Sequence, residues 1–347
     1  MTKISLSCLL LSCLLAACQS VSREYRAQKI DGVCFVAPRD SIPQQAMASI
    51  REVNADWVAI VPYAFLREND PTVIYDTTSQ WWGETGRGLE QTLSYARQLG
   101  LKIMLKPHVW VQGQGWPGDY TLETEEEWQQ WEASYENYLD AMTALAIRYE
   151  VGLFCIGTEF RVAARERPAY WRRLISKIRQ TYTGPLTYAA NWDNYQNISF
   201  WDELDYIGID AYFPLSERRD PSLRQLMDGW EEPMEQIEEF QEQYHLPVLF
   251  TEYGYRSADY SGRGHWLNEK EGLVTNMQAQ ATAYEALFRT VWQQDWFAGG
   301  FAWKWYATVP RNSRWNRWET DFTPQEKPAA EVLRRYYTQN TQADRRQ

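Results

Sequence analysis

Short apolar runs recur along this chain with amphipathic stretches between them, and no other feature restricts the fold as much. The runs fall at residues 32–37, 57–61, 102–107, 152–157, 186–190, 206–210, 248–251 and 300–303. Each is largely apolar, as strands buried on both faces must be. Helical patterns lie between them, at residues 42–53, 88–99, 125–149, 169–181, 223–244, 277–293 and 325–337. The second carries Leu89, Leu93, Ala96 and Leu99 on one face and stops at Gly100. The fourth follows Pro168, a residue suited to a first helical turn. Between the fifth and sixth runs only a short turn near residues 199–204 fits. Eight strands with intervening helices predict an α/β fold, a single (β/α)8 TIM barrel. An open doubly wound sheet would carry a glycine-rich phosphate loop after its first strand, and none is there. No repeat, low-complexity tract or linker divides the domain, which is expected to span residues 30–340, with 341–347 as a tail.

The first residues read differently. One positive charge, an apolar run over residues 4–15 and small residues ahead of Cys18 form a secretory signal, residues 1–17. That run is too short to span a bilayer. Leu15-Ala16-Ala17-Cys18 resembles a bacterial lipobox, in which cleavage leaves Cys18 as a lipidated N-terminus. The alternative is an ordinary signal peptide with a chance cysteine. Residues 18–29 are polar and read as a tether. The expected location is the bacterial cell envelope, and the outer membrane where one exists, because Gln19 rather than Asp follows the cysteine. The membrane would be met through the lipid alone, each buried CH2 contributing about 0.8 kcal/mol.

A net charge of −11 argues against nucleic acid, which needs a basic face. Neutral polysaccharide suits an acidic protein. The 18 tryptophans are an unusual number, and Trp81, Trp82, Trp110, Trp116, Trp192, Trp266 and Trp315 lie in polar or glycine-containing segments. Such rings either fill a core or form platforms on which sugar rings stack. Cys34 and Cys155 sit in apolar runs and read as buried free thiols. The three histidines, His108, His245 and His265, have no metal-ligand spacing, so no metal is expected. No cofactor fingerprint is present either, and none is expected.

Two carboxylates follow apolar runs directly. Glu159 ends the fourth and Glu252 the seventh, which places both at the mouth of a barrel. Facing carboxylates are what glycoside hydrolysis needs, one as proton donor and one as nucleophile or base. Either alone would read as a surface glutamate.

Glutamates ending strands four and seven resemble those of the clan A glycoside hydrolases, retaining β-glycosidases on this barrel. Lys106-Pro107-His108, Ile156-Gly157-Thr158-Glu159, Thr251-Glu252-Tyr253-Gly254-Tyr255-Arg256-Ser257 and Trp303-Lys304-Trp305 together resemble glycoside hydrolase family 113, known for β-1,4-mannanase activity. The resemblance covers about residues 30–337, and the Thr-Glu-Tyr-Gly-Tyr run is its most specific part. It implies Glu159 as general acid/base and Glu252 as nucleophile. It implies Tyr212 as the hydroxyl that holds the nucleophile ionised. Trp303 matches the aromatic floor under the reacting sugar, with core packing as the alternative. Thr158 departs from the clan, most of which has Asn there, and Asn191 beside Trp192 is a substitute amide. Lys106 and His108 are either sugar ligands or structural partners of a carboxylate. Arg256 is either a subsite residue or a buried ion-pair partner. Trp110, Tyr253 and Trp305 complete the expected substrate-binding set.

The expected activity is retaining cleavage of a β-1,4-linked mannan or related polysaccharide by a monomer. The alternatives are a clan A β-glycosidase or transglycosylase on another β-glycan, and a non-catalytic surface glycan-binding lipoprotein.

Overall fold

The structure is a computed structural model that describes residues 29–113, 115–264, 272–311 and 317–344. The signal, Cys18, nearly all of the tether, Trp266, Trp315 and His265 lie outside the described residues. Lys29, the last tether residue, already belongs to the fold. Its ammonium donates to the carbonyls of Gln294 (2.8 Å) and Phe297 (2.6 Å) at the start of the last barrel strand.

Among the described residues ten strands run in chain order: β1 (Ile30–Phe35), β2 (Trp57–Ile60), β3 (Tyr63–Arg67), β4 (Lys102–Leu105), β5 (His108–Gln112), β6 (Leu153–Thr158), β7 (Leu186–Asn191), β8 (Tyr206–Asp210), β9 (Val248–Tyr253) and β10 (Phe297–Trp305). Eight of them close a parallel barrel in the order β1-β10-β9-β8-β7-β6-β4-β2, which is the (β/α)8 fold expected. All eight apolar runs are its strands. The helices are α1 (Gln45–Ala48), α2 (Gly86–Gln98), α3 (Glu125–Arg148), α4 (Arg161–Glu166), α5 (Pro168–Arg179), α6 (Leu223–Gly229), α7 (Glu231–Tyr244), α8 (Met277–Arg289) and α9 (Pro328–Asp344).

The barrel interior is filled by residues that include Cys34, Ala59, Met104, Cys155, Leu249 and Phe301. Gly32 is needed there, since a Cβ on it would meet the Phe301 ring at 2.3 Å. Cys34 and Cys155 are buried free thiols. The larger core lies between strands and helices and takes up many of the tryptophans. Trp131 is fully buried, stacked 5.3 Å from Tyr135 and edge-on to Phe160 and Trp171. Tyr135 of this cluster donates to the Ile156 carbonyl (3.0 Å), which braces β6 from behind.

Three departures from the sequence reading have physical causes. The stretch 223–244 is two helices rather than one. Pro233 has no N–H to give and its ring excludes the carbonyl four residues back, Gly229, which is where α6 stops. The stretch 42–53 is a short α1 followed by a 3-10 turn (Ser49–Val53), ended by Asn54 in the left-handed region at φ 60°.

The third departure matters most for the site. Strands β2 and β4 meet prolines, Pro62 and Pro107, where the apolar runs 57–61 and 102–107 stop. Instead the register continues, Ile60 opposite Leu105 and then Tyr63 opposite His108, and β3 and β5 form a separate two-stranded parallel sheet. The amides of Lys106 and His108 donate to the carbonyls of Ile60 and Pro62 (both 2.9 Å), so the ladder passes the prolines without their N–H groups. Strand alternation then sorts the sheet. Ala64, Leu66, Val109 and Val111 are buried, whereas Tyr63, Phe65, Arg67, His108, Trp110 and Gln112 share the opposite, more open face.

Candidate active site

Strand ends β4, β6, β8 and β9 bring four ionisable side chains together. Lys106, immediately after β4, is completely buried. Its ammonium donates to Glu252 Oε1 (2.5 Å) and Asp210 Oδ1 (2.8 Å). Of the two readings open for Lys106, the structure selects the carboxylate partner, and it removes Lys106 from the sugar-contacting set. Burial alone would strip the charge from this lysine, but Asp210 and Glu252 raise its pKa and keep it protonated.

Glu252 is 5% exposed and has every near neighbour a carboxylate needs. Tyr212 donates its hydroxyl to Oε2 at 2.6 Å, and His108 Nε2 lies 3.3 Å from Oε1. Burial opposes ionisation, yet the Lys106 charge and the His108 contact outweigh it and hold Glu252 down to about 2. His108 is itself depressed by burial and by Lys106, so it stands beside Glu252 as a neutral imidazole.

Glu159 is in the opposite state. Its backbone is in the left-handed region, φ 56°, an uncommon conformation for a residue with a side chain. Two bonds hold it, from its own amide to the Ala189 carbonyl and from the Arg161 amide to its carbonyl, both 2.8 Å. Burial, then the charges of Asp210 and Glu252, push its carboxyl well above the ordinary range. The Trp116 indole N–H donates to its Oε2 at 2.6 Å. One carboxylate kept ionised beside one kept protonated is a nucleophile or electrostatic partner set against a proton donor.

Asp210 and Trp116 are the members that sequence reasoning did not assign. Asp210 also accepts from Thr251 Oγ1 (2.7 Å), and burial with the nearby Glu252 charge raises it to about 7. The available signal was its position: an acidic residue ending an otherwise apolar strand, as Glu159 and Glu252 do for theirs.

The remaining expected residues divide. Trp303 is half-buried at the mouth, its ring parallel to His108 within 9° at 6.3 Å. Trp110 is 49% exposed on the open face of β5. Asn191 ends β7 and accepts from the Trp192 amide (3.0 Å); among the described residues no partner takes its side-chain N–H groups. Trp192 packs edge-on to Phe213 at 5.7 Å. Arg256 lies over the Phe322 ring (4.8 Å), which in turn touches Tyr212. Two residues leave the set. Tyr253 follows Glu252, so alternation turns it outward, where it is 1% exposed and shares a 2.5 Å hydroxyl–hydroxyl bond with Tyr337. Trp305 is 2% exposed and donates to Ser49 Oγ (3.0 Å), beyond a register shift between β1 and β10. Thr158 is also occupied, its hydroxyl bonded to the Pro107 carbonyl at 3.1 Å.

Beside Trp303 opens a cavity of about 740 Å³. Its walls include Tyr63, Phe65, Trp81, Trp110, Gln112 and Lys304, largely the open face of the β3/β5 sheet. Among the described residues no group of three or more His, Cys, Asp or Glu is placed to hold a metal ion.

The family model described as Glycoside Hydrolase Family 113 matches residues 39–327. Among solved structures the chain is similar to the GH113 β-mannanase AaManA from Alicyclobacillus acidocaldarius in complex with ManMIm. Identity is 24% over 91% of this chain and 99% of that one, with a TM-score of 0.77. A structure of a GH113 β-1,4-mannanase is similar at 24% identity over 90% of this chain and 99% of that one, TM-score 0.77. A Ruminococcus gnavus β-glucuronidase shares the fold more distantly, at 13% identity over 89% of this chain and 50% of that one, TM-score 0.61. No curated protein sequence matches the chain.

The Lys106 clamp predicts a stability change. Lys106→Met leaves two buried carboxylates without a cation and is expected to cost about 3–5 kcal/mol at pH 7, read from urea unfolding. Ionised Glu252 contributes stability above the ordinary carboxylate pKa, and that contribution is lost as pH falls through about 2. The gap between wild type and variant therefore narrows over that acid range. A loss under about 1 kcal/mol at pH 7 contradicts the clamp.

Proposed function

This chain belongs to glycoside hydrolase family 113, and on that premise we propose that it is a retaining β-1,4-mannan hydrolase with Glu252 as nucleophile and Glu159 as acid/base. The observation that carries the reading is the opposed surroundings of the two glutamates. Glu252 meets the Lys106 ammonium at 2.5 Å and the Tyr212 hydroxyl at 2.6 Å, which favour its ionised form. Glu159 meets the Trp116 indole and faces the charges of Asp210 and Glu252, and its carboxyl is pushed up by burial and by those charges. In the first step a Glu252 oxygen bonds to the anomeric carbon while the glycosidic bond breaks. The Glu159 proton passes to the departing oxygen. In the second step Glu159, now ionised, takes a proton from water, whose oxygen displaces Glu252 and restores both groups. A site built only to bind glycan would have no use for this difference in ionisation.

The mannan assignment draws on the relatives, which are described as β-mannanases. The cavity supports a polymeric substrate, since Trp81 and Trp110, about half exposed, offer ring faces along it. The Thr158 hydroxyl is engaged by Pro107, and the Asn191 amide at the end of β7 supports a contact with a sugar hydroxyl at this mouth.

The test is product release by the domain lacking residues 1–18 from β-mannan, glucomannan, β-glucan, xylan and chitin. Mannan-oligosaccharides are expected. Glu252→Ala is expected to lower turnover by on the order of 10⁴-fold or more, and azide to restore it with an inverted glycosyl azide product. Full activity in Glu252→Ala rules the mechanism out, and activity only on another glycan removes the substrate assignment.

The lipobox-like Leu15-Ala16-Ala17-Cys18 supports an enzyme tethered by lipid to the cell envelope. Cys18→Ser is expected to move the protein from the membrane fraction to the soluble fraction of a bacterial host. Unchanged membrane retention contradicts the anchor.

A further inference from the structure

Trp116 lies outside the strands, in the segment between β5 and α3, yet its indole N–H reaches Glu159 Oε2 at 2.6 Å. An indole nitrogen can donate but never accept. The oxygen it meets must therefore present a lone pair, whether Glu159 is charged or neutral. A carboxyl oxygen that carries the proton still has lone pairs but accepts more weakly than the carbonyl oxygen, so when Glu159 is neutral the indole favours the proton on the other oxygen, Oε1.

The ring is well fixed for this task. A Cβ at Gly118 would stand 2.2 Å from it, so the ring packs directly on that glycine's backbone. The Arg161 guanidinium covers it at 5.1 Å and pairs with Asp119. The Arg161 amide also donates to the Glu159 carbonyl (2.8 Å), so indole, guanidinium and carboxyl form one braced group.

We propose that Trp116 is a positioning residue that confines the acid proton of Glu159 to Oε1, so that the leaving oxygen is protonated from one defined atom. The proposal rests on the reading of Glu159 as the general acid/base. In the first step the proton leaves Oε1 for the departing oxygen, and the electron pair of the broken bond stays with that oxygen. The indole bond then strengthens on the carboxylate that remains, because a charged acceptor binds a donor more tightly. In the second step Oε1 takes the proton of the attacking water. The indole proton is never transferred.

The experiment compares wild type, Trp116→Phe, Trp116→His and Glu159→Gln on aryl β-mannosides with leaving groups of graded acidity. Trp116→Phe keeps an aromatic ring for Arg161 and removes the donor together with part of the ring's volume. It is expected to lower kcat/KM by about 10-fold or more for poor leaving groups and by less than about threefold for dinitrophenyl, which departs without a proton. The basic limb of its pH profile is expected to move up, since the indole bond favours the ionised form. Asp210, Glu252, Lys106, Tyr63, Tyr188 and Arg161 make up the charged and titratable surroundings of Glu159 and are the same in wild type and variant. Trp116→His returns a ring N–H and is expected to recover part of the lost rate on poor leaving groups.

Equal loss across all leaving groups with an unmoved basic limb overturns the proposal, as does no loss at all. Thermal melting of each variant separates misfolding from either result, and should Trp116→Phe melt early, the recovery in Trp116→His decides. If Glu159→Gln shows no leaving-group dependence, the assignment of the acid falls. If it does and Trp116→Phe does not, only the role of Trp116 falls.

Discussion

An ammonium group sealed inside a barrel mouth stays charged only with anions in contact, because desolvation costs several kcal/mol per ion even after relaxation. Lys106 has two, Glu252 at 2.5 Å and Asp210 at 2.8 Å, and has no exposed surface. These three groups sit at the mouth ends of β4, β9 and β8, so the cluster exists only when the barrel has closed with the right register. The same contact that satisfies Lys106 keeps Glu252 ionised in a place where burial would protonate it. Fold and chemistry thus meet in one interaction.

The excess negative charge has a consequence for the other glutamate. Burial is the main influence that keeps the proton on Glu159, and with one lysine against Asp210 and Glu252 the field there adds to it. Two glutamates of identical chemistry are separated in ionisation because burial opposes the charge of both and Lys106 stands against only one of them. Asp210 enlarges the separation, although its own carboxyl is lifted to about 7 and it shares Lys106 with Glu252.

The barrel was legible in the sequence because its strands are short, apolar and bounded by helical patterns. The glutamates were legible because a charge after an apolar run has only the mouth to go to. What stayed hidden turned on facing and register. A strand buried on both sides carries no hydrophobic alternation to show which residues point inward, so Tyr253 and Glu252 looked alike. Once Glu252 is placed inward, period two sends Tyr253 outward to Tyr337, and that deduction was open to sequence reasoning. Trp305 was beyond it, because an irregular register between β1 and β10 breaks the parity with Trp303. The β3/β5 sheet was hidden because a proline after a strand ordinarily reads as its end. Lys106 was ambiguous for another reason: its partners are 104 and 146 residues away in sequence.

The central claim is that the Lys106 clamp makes Glu252 the nucleophile. A 2-deoxy-2-fluoro-β-mannosyl fluoride slows the second displacement and lets the covalent intermediate accumulate. Peptide mapping by mass spectrometry then locates the added sugar. The account predicts one fluorosugar per protein, on the peptide that carries Glu252. A label on another residue, or substrate consumed with inversion and no label, would contradict it.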